Sequence, residues 1–318
     1  MSLQARGTAL AAAVLVSCGW AAAVRAAEPT VENYKAGVAA CMKAGDLECA
    51  EKNWRQVLRL RPNDGQAMAN IGILLNRRDD HRGAVAMFER AIDGGDGAWD
   101  LFSYYADSLE KLGRTDDAIA WSYRALKLVP SLVDVRGRLA KMLVQQHKYY
   151  EALALLGAFD DDLAAKCHGA YFEGQRMAIE NAIERQGAAA PAERGGLRVA
   201  AEFKHFFVPV TLGRARPATF MVDTGATVVT IDEAMLAESK VAYRARDKRM
   251  VAILADGRRQ EGRALTVAAL RVGPYELKDV PVFVCKACVP LLGQSALSRF
   301  DLASSRSQGV EFLTLKPR

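Results

Sequence analysis

Histidine is scarce in this chain, and the four among its 318 residues show no metal-ligand spacing. Cysteine adds little to a metal reading. Cys285-Lys286-Ala287-Cys288 is a close pair, but a zinc site needs four ligands and no second close pair exists. Neither a metal nor another cofactor is therefore expected. A thioredoxin-type redox motif would open a helix, whereas Pro290 and an apolar strand follow here. Aromatic residues are few, at 8%, and none interleaves with the basic run Arg244, Arg246, Lys248 and Arg249, so the stacking platform of a nucleic-acid binder is missing. That run reads as a solvated hairpin or as an attraction for an acidic partner. No long apolar run is present, and the stretch from Ala9 to Val16 is too short to span a bilayer. Gly293-Gln294-Ser295-Ala296-Leu297 lacks the final glycine of a nucleophile elbow. Cys167 and His168 are sequence neighbours, whose side chains usually point apart.

What is present divides in three. The length suggests two domains behind a targeting segment. The net charge is +6, and from Gly195 onward 19 basic residues face 12 acidic ones, so the excess lies in the C-terminal part. Residues 1–27 read as an export signal, with Arg6 as the positive region and Ala9 to Val16 as the apolar one. Two endings stay open. Leu15-Val16-Ser17-Cys18 resembles a bacterial lipobox, which makes Cys18 a candidate lipidation site and membrane anchor; small residues at Ala21-Ala22-Ala23 or Val24-Arg25-Ala26 would instead release a soluble product. An uncleaved anchor is a third ending. Each places the protein in a periplasm or cell envelope, where disulfides form. Cys41 and Cys49 bracket a helical turn and could bridge; Cys285 and Cys288 form a local disulfide or two thiols; Cys167 is left over.

Residues 31–185 read as one helical unit, in which the segment from Val31 to about Asp162 repeats with a period of about 34. Ala50, Ala84, Ala118 and Ala152 fall in register, as do Trp54, Phe88, Ser122 and Leu156. Gly72, Ala106 and Ala140 mark the small position of the first helix, and Pro62 and Pro130 end repeats. Small residues let two helices approach, and the large residue one turn later fills the groove to the next unit. The pattern resembles three tetratricopeptide repeats and a partial fourth. At the usual tryptophan position stand Tyr34, Met68, Phe102 and Arg136, and Arg136 suggests a degenerate or capping fourth unit. The resemblance implies an α-solenoid that holds a peptide or partner protein. No Lys/Asn clamp for a C-terminal carboxylate is seen. A helix from Ala164 to Arg185 is expected to cap the solenoid, and residues 186–196 read as a linker.

Residues 197–318 read as all-β. Strands are expected at Phe203 to Leu212, Thr219 to Val222 and Leu277 to Cys285, with a short helix from Asp232 to Ser239 and a hairpin from Met250 to Val272. Asp223-Thr224-Gly225-Ala226 lies between two apolar runs, so a strand feeds a tight loop that ends on a carboxylate. Gly225 is expected to turn the backbone where a Cβ would clash.

The apolar-apolar-Asp-Thr-Gly-Ala pattern resembles the active-site loop of aspartic proteases. It occurs once, as in the retropepsin-like enzymes, and Val289 to Leu297, with Leu291-Leu292-Gly293 at its centre, looks like the strand and short helix that close that fold. The resemblance implies an α-solenoid followed by an all-β retropepsin-like acid protease domain, acting as an endopeptidase on a protein or peptide substrate. A homodimer would pair two Asp223 carboxylates. Thr224 would brace the loops across the two-fold axis, Gly225 would keep the backbone near substrate, and Ala226 would occupy a position where the family has Ala or Ser. Residues 244–257 lie where a flap would be, without a glycine-rich tip. The rival reading is an inactive protease fold serving as an envelope scaffold.

Overall fold

The computed structural model describes residues 29–186, 195–253 and 259–318. The expected export signal with Cys18, nearly all of the linker and the tip of the 244–257 hairpin lie outside the described residues.

Eight helices form four antiparallel pairs: α1 (Val31–Ala44) with α2 (Leu47–Leu60), α3 (Gly65–Arg77) with α4 (His81–Asp93), α5 (Trp99–Lys111) with α6 (Thr115–Leu128), and α7 (Val133–Gln145) with α8 (Tyr149–Ala165). Local chemistry starts several of them. The carboxylates of Asp46, Asp64 and Asp80 accept the backbone N–H groups of Cys49, Ala67 and Gly83, which satisfies donors that a helix start leaves orphaned. Ala50, Ala84, Ala118 and Ala152 are all wholly buried. Gly72 shows why a small residue is needed: a Cβ there would meet the Phe88 ring at 2.6 Å.

The fourth unit is a complete helix pair rather than a partial one. In α8, every residue from Tyr149 to Asp160 is buried, because repeats cover one side and the β domain covers the other. The expected cap helix starts late. The chain leaves α8 after Ala165, turns through residues 166–172 and enters α9 (Glu173–Gln186). Asp160 fixes this turn by accepting from Tyr171 N–H (2.9 Å) and Phe172 N–H (3.0 Å).

The β domain contains β1 (Leu197–Glu202), β2 (His205–Leu212), β3 (Ala218–Val222), β4 (Val229–Asp232), α10 (Glu233–Ser239), β5 (Tyr243–Ile253), β6 (Arg259–Val272), β7 (Tyr275–Cys285), β8 (Leu291–Leu292), α11 (Gln294–Leu297), β9 (Phe300–Ser307) and β10 (Val310–Pro317). Phe203 and Lys204, expected in a strand, form the β1–β2 turn at φ 49° and 69°. The sheet order is β5-β6-β7-β4-β8-β3-β2-β1-β10-β9, and a further β6–β2 pairing curls it on itself. Val208, Val210, Phe220, Val229, Ile231, Val282 and Leu292 fill its interior.

The two parts are joined by packing. Helix α8 lies on β1, β2 and β3. Gly157 is the point of closest approach, since a Cβ there would meet Thr219 Oγ1 at 2.4 Å. Arg136 is fully buried at this interface and does not face solvent as a capping residue. Its guanidinium donates to Leu155 O (2.9 Å), Pro130 O (3.1 Å) and Glu202 Oε2 (3.1 Å), and stacks over Phe159. Nearby, Glu151 accepts from the Tyr123 hydroxyl and faces Arg198 at 3.6 Å. Burial pushes the Glu151 carboxyl up from its usual range, opposed by the Arg198 charge and the Tyr123 hydroxyl. Arg216 reaches from the β domain to Glu180 and Glu173 on α9. Disulfides join Cys41 to Cys49 and Cys285 to Cys288, and Cys167 is a free, exposed thiol.

Candidate active site

Strand β3 ends at Val222 and runs parallel to β8, with Met221 opposite Leu291 and Val222 opposite Leu292. Asp223 N–H donates to Leu292 O at 3.1 Å, so the Leu-Leu segment positions the carboxylate. The chain then folds back over the side chain it has just placed. Asp223 Oδ1 accepts from Gly225 N–H (2.9 Å) and Ala226 N–H (3.1 Å). Asp223 Oδ2 and the Thr224 hydroxyl have no partner among the described residues. Asp223 is half-buried, while Thr224 and Gly225 are exposed.

The loop is held from below by the next segment. Gln294 N–H and Ser295 N–H donate to Ala226 O (2.8 Å) and Thr227 O (3.1 Å), and the Gln294 side chain donates to Thr224 O (2.9 Å). Ser295 Oγ accepts from Val229 N–H and donates to Pro281 O, tying α11 to the parallel neighbours β4 and β7. In the sequence, Gln294 and Ser295 were weighed only as part of a nucleophile elbow; their supporting role follows from polar side chains placed just after the Leu-Leu-Gly segment.

The two glycines differ from expectation. Gly225 lies outside the left-handed region, and a Cβ there would meet only Asp223 Oδ1, at 3.3 Å. Its smallness spares the carboxylate and does not serve the turn. Gly293 carries the tighter constraint. A Cβ there would meet Val228 O at 2.3 Å, Val228 C at 2.6 Å and Ala226 O at 2.8 Å, all backbone. Gly293→Ala is expected to cost about 3 kcal/mol, the upper end of the range for overpacking, because no rotamer can relieve a backbone clash. Chemical denaturation checks this, and a loss below about 1 kcal/mol would mean that the loop can slide away from β8.

On the flank, Asp232 caps α10 through Ala234 N–H (2.8 Å) and accepts from Cys288 N–H (3.3 Å), so the Cys285–Cys288 disulfide holds the segment that enters β8. In the hairpin of the expected flap, β5 pairs with β6 and the register shifts between Ala245 and Arg249. Of the basic run, Arg244 pairs with Asp279, and the side chains of Arg246, Lys248 and Arg249 lie outside the described residues.

This geometry gives a carboxylate with one oxygen fixed by two backbone N–H groups and an exposed loop rim beside it. Such a group can orient and deprotonate a water if a second, proton-sharing acid faces it.

The family described as "gag-polyprotein putative aspartyl protease" matches residues 208–299, which include the whole loop and its supports. Tetratricopeptide repeats match residues 34–98 and 77–132. Among solved structures, a retropepsin-like aspartic protease from Rickettsia conorii is 21% identical, covering 38% of this chain and 94% of that one at a TM-score of 0.28. YrrB, a TPR protein with an unusual peptide-binding site, is 19% identical over 51% of this chain and 90% of its own, at a TM-score of 0.40. An O-GlcNAc transferase mutant from Thermobaculum terrenum is 18% identical at a TM-score of 0.36; the match covers 42% of this chain and 26% of that much longer protein. A search of curated proteins finds no match.

Proposed function

From a chain that joins tetratricopeptide repeats to a retropepsin-like aspartic protease domain, we propose an exported aspartic endopeptidase that works as a homodimer and uses its repeat arm to recruit substrate or partner proteins. The observation that carries this reading is the Asp223 loop. Its Oδ1 is pinned by two N–H groups, and Thr224 and Gly225 form an exposed rim whose hydroxyl has no partner among the described residues.

Amide hydrolysis needs a base to activate water and an acid to protonate the leaving nitrogen. One carboxylate cannot serve as both at once. Two Asp223 side chains meeting on a two-fold axis would share one proton, since like charges about 3 Å apart cannot both ionise. The pair then titrates as a unit, with one member as base and the other as acid. The Thr224 hydroxyls would brace the two loops, and the β5–β6 hairpin would cover the substrate.

Export is supported by the apolar segment behind Arg6 and by two disulfides, which persist in oxidising compartments. Cys18 would carry a lipid if the lipobox ending is the one used. Recruitment is supported by a hollow of about 440 Å³ on the arm, lined by Trp99, Tyr104, Asp107, Leu132 and Arg138 among others. Exposed Trp99 there offers an apolar anchor for a peptide.

The test is cleavage of an unfolded-protein mixture by the full mature chain from acid to neutral pH, with new termini read by mass spectrometry at several enzyme concentrations. Rate per chain is expected to rise with concentration until dimers saturate. No new termini at any concentration would leave a non-enzymatic scaffold. A rate per chain unchanged by dilution into monomers would defeat the paired-carboxylate mechanism.

A further inference from the structure

A cleft of about 600 Å³ lies where the repeat arm meets the strand that carries Asp223. One wall is the end of α8 and the start of α9, with Asp161, Glu173 and Arg176. The other belongs to the β domain: Phe207, Thr219 and Met221 on β2 and β3, Met235 and Glu238 on α10, and Pro290 before β8. We infer that this cleft is a substrate subsite for a lysine or arginine side chain next to the cleaved bond, with the repeat arm supplying part of its selectivity. The inference rests on the endopeptidase reading and deepens it.

Position comes first. Side chains on a strand alternate, so Thr219 and Met221 share one face of β3, and Asp223 follows directly after its last residue, with its N–H still bonded to Leu292 O. Thr219 and Met221 both line the cleft. Asp223 follows Met221 by two residues, about 7 Å along a strand. An extended peptide lying across Asp223 has the same spacing between side chains on one side. A side chain within two residues of the scissile bond therefore falls into the cleft.

Charge selects the class. Two cations line the space, and both are engaged: Arg216 with Glu173 and Glu180, Arg176 with Asp160 at 3.5 Å. Asp161, Asp232 and Glu238 make no salt bridge among the described residues. Asp232 already accepts two backbone N–H groups, which leaves Asp161 and Glu238 as the heads available to a ligand. Desolvation in the cleft pushes the Asp161 carboxyl up from its usual range, opposed by the Thr219 hydroxyl and the Arg176 charge, so a cationic tip arriving there would restore its charge. Between these acids, Phe207, Met221, Met235 and Pro290 give an apolar floor. A long aliphatic stem with a cationic tip fits that combination. A carboxylate side chain would meet Glu238 and Asp161 while both lining cations are already paired, and be repelled.

Peptides identical except for lysine or norleucine at each position around the bond test this, because the two share a stem and differ in the ammonium. The full chain is expected to show about tenfold higher kcat/KM for lysine at one position. The Asp161→Asn/Glu238→Gln chain should bring that ratio close to one. A wild-type ratio near one at every position, or a preference that survives the double substitution, overturns the subsite. Binding of the same peptides to the full-length Asp223→Asn chain, read by fluorescence anisotropy, separates the two ideas. Preferential lysine binding that the two acid substitutions remove, with no cleavage by wild type, keeps the subsite and sinks the endopeptidase. Cleavage without lysine preference does the reverse, and neither cleavage nor preferential binding sinks both.

Discussion

Asp223→Asn is expected to lower peptide-bond cleavage about a thousandfold or more while leaving the thermal midpoint within a degree or so of wild type. The two halves of this expectation have separate physical grounds. The fold is spared because the amide oxygen of asparagine can accept the same two bonds from Gly225 and Ala226 N–H that Asp223 Oδ1 accepts. The other position becomes an NH₂ where Oδ2 had no partner among the described residues, so no buried group is orphaned. The proposed dimer would be spared too, because the NH₂ of one amide can donate to the oxygen of the other where the acid pair would share its proton. Chemistry is lost because an amide neither takes nor gives a proton near neutral pH, and positioned acid–base groups contribute about 10²–10⁴ each. The measurement is single-turnover cleavage of one fluorogenic peptide, beside a thermal melt of the same samples. Activity within tenfold of wild type would remove Asp223 from the mechanism, whatever the melt shows.

Arg136→Met is the second large effect, on stability. The substitution leaves Glu202 buried without its cation and takes donors from Leu155 O and Pro130 O. Breaking a buried ion pair from one side costs about 3–5 kcal/mol, much of it the penalty of the stranded charge. A second substitution, Glu202→Leu, removes that charge and is expected to return most of the loss, since apolar replacement of both partners is often neutral. Urea unfolding followed by circular dichroism reads both. The single variant should also split unfolding into two steps, because the ion pair joins the arm to the β domain. A loss below 1 kcal/mol, or a double variant as unstable as the single one, would show that the bridge does not hold the interface.

The parts of this architecture that were legible in the sequence are those with a local signature. A period of about 34 with alanines in register exposes the repeats, because each helix pair repeats the same packing problem. Asp223 and Leu291-Leu292-Gly293 mark a loop and its support through residue type alone. The junction was illegible because it depends on partners distant in sequence. Arg136 looked like decay of the fourth repeat, but its partner Glu202 is 66 residues away. Strand β1 was missed because it follows a stretch rich in Ala and Gly and declares itself only by pairing with β10 and β2. Gly225 and Gly293 look equivalent as letters, and only the backbone packed behind Gly293 separates them.

Helix α8 resting on β3, with Gly157 against Thr219, makes the arm a gauge. Under the proposed function, a substrate gripped by the repeats would have one end fixed relative to the loop, and chain length, at about 3.3 Å for each extended residue, would limit which bonds reach Asp223. A flexible tether would blur that distance with the square root of its length. Fragments cut from an arm-bound protein would then carry stubs within a narrow range of lengths counted from the anchor.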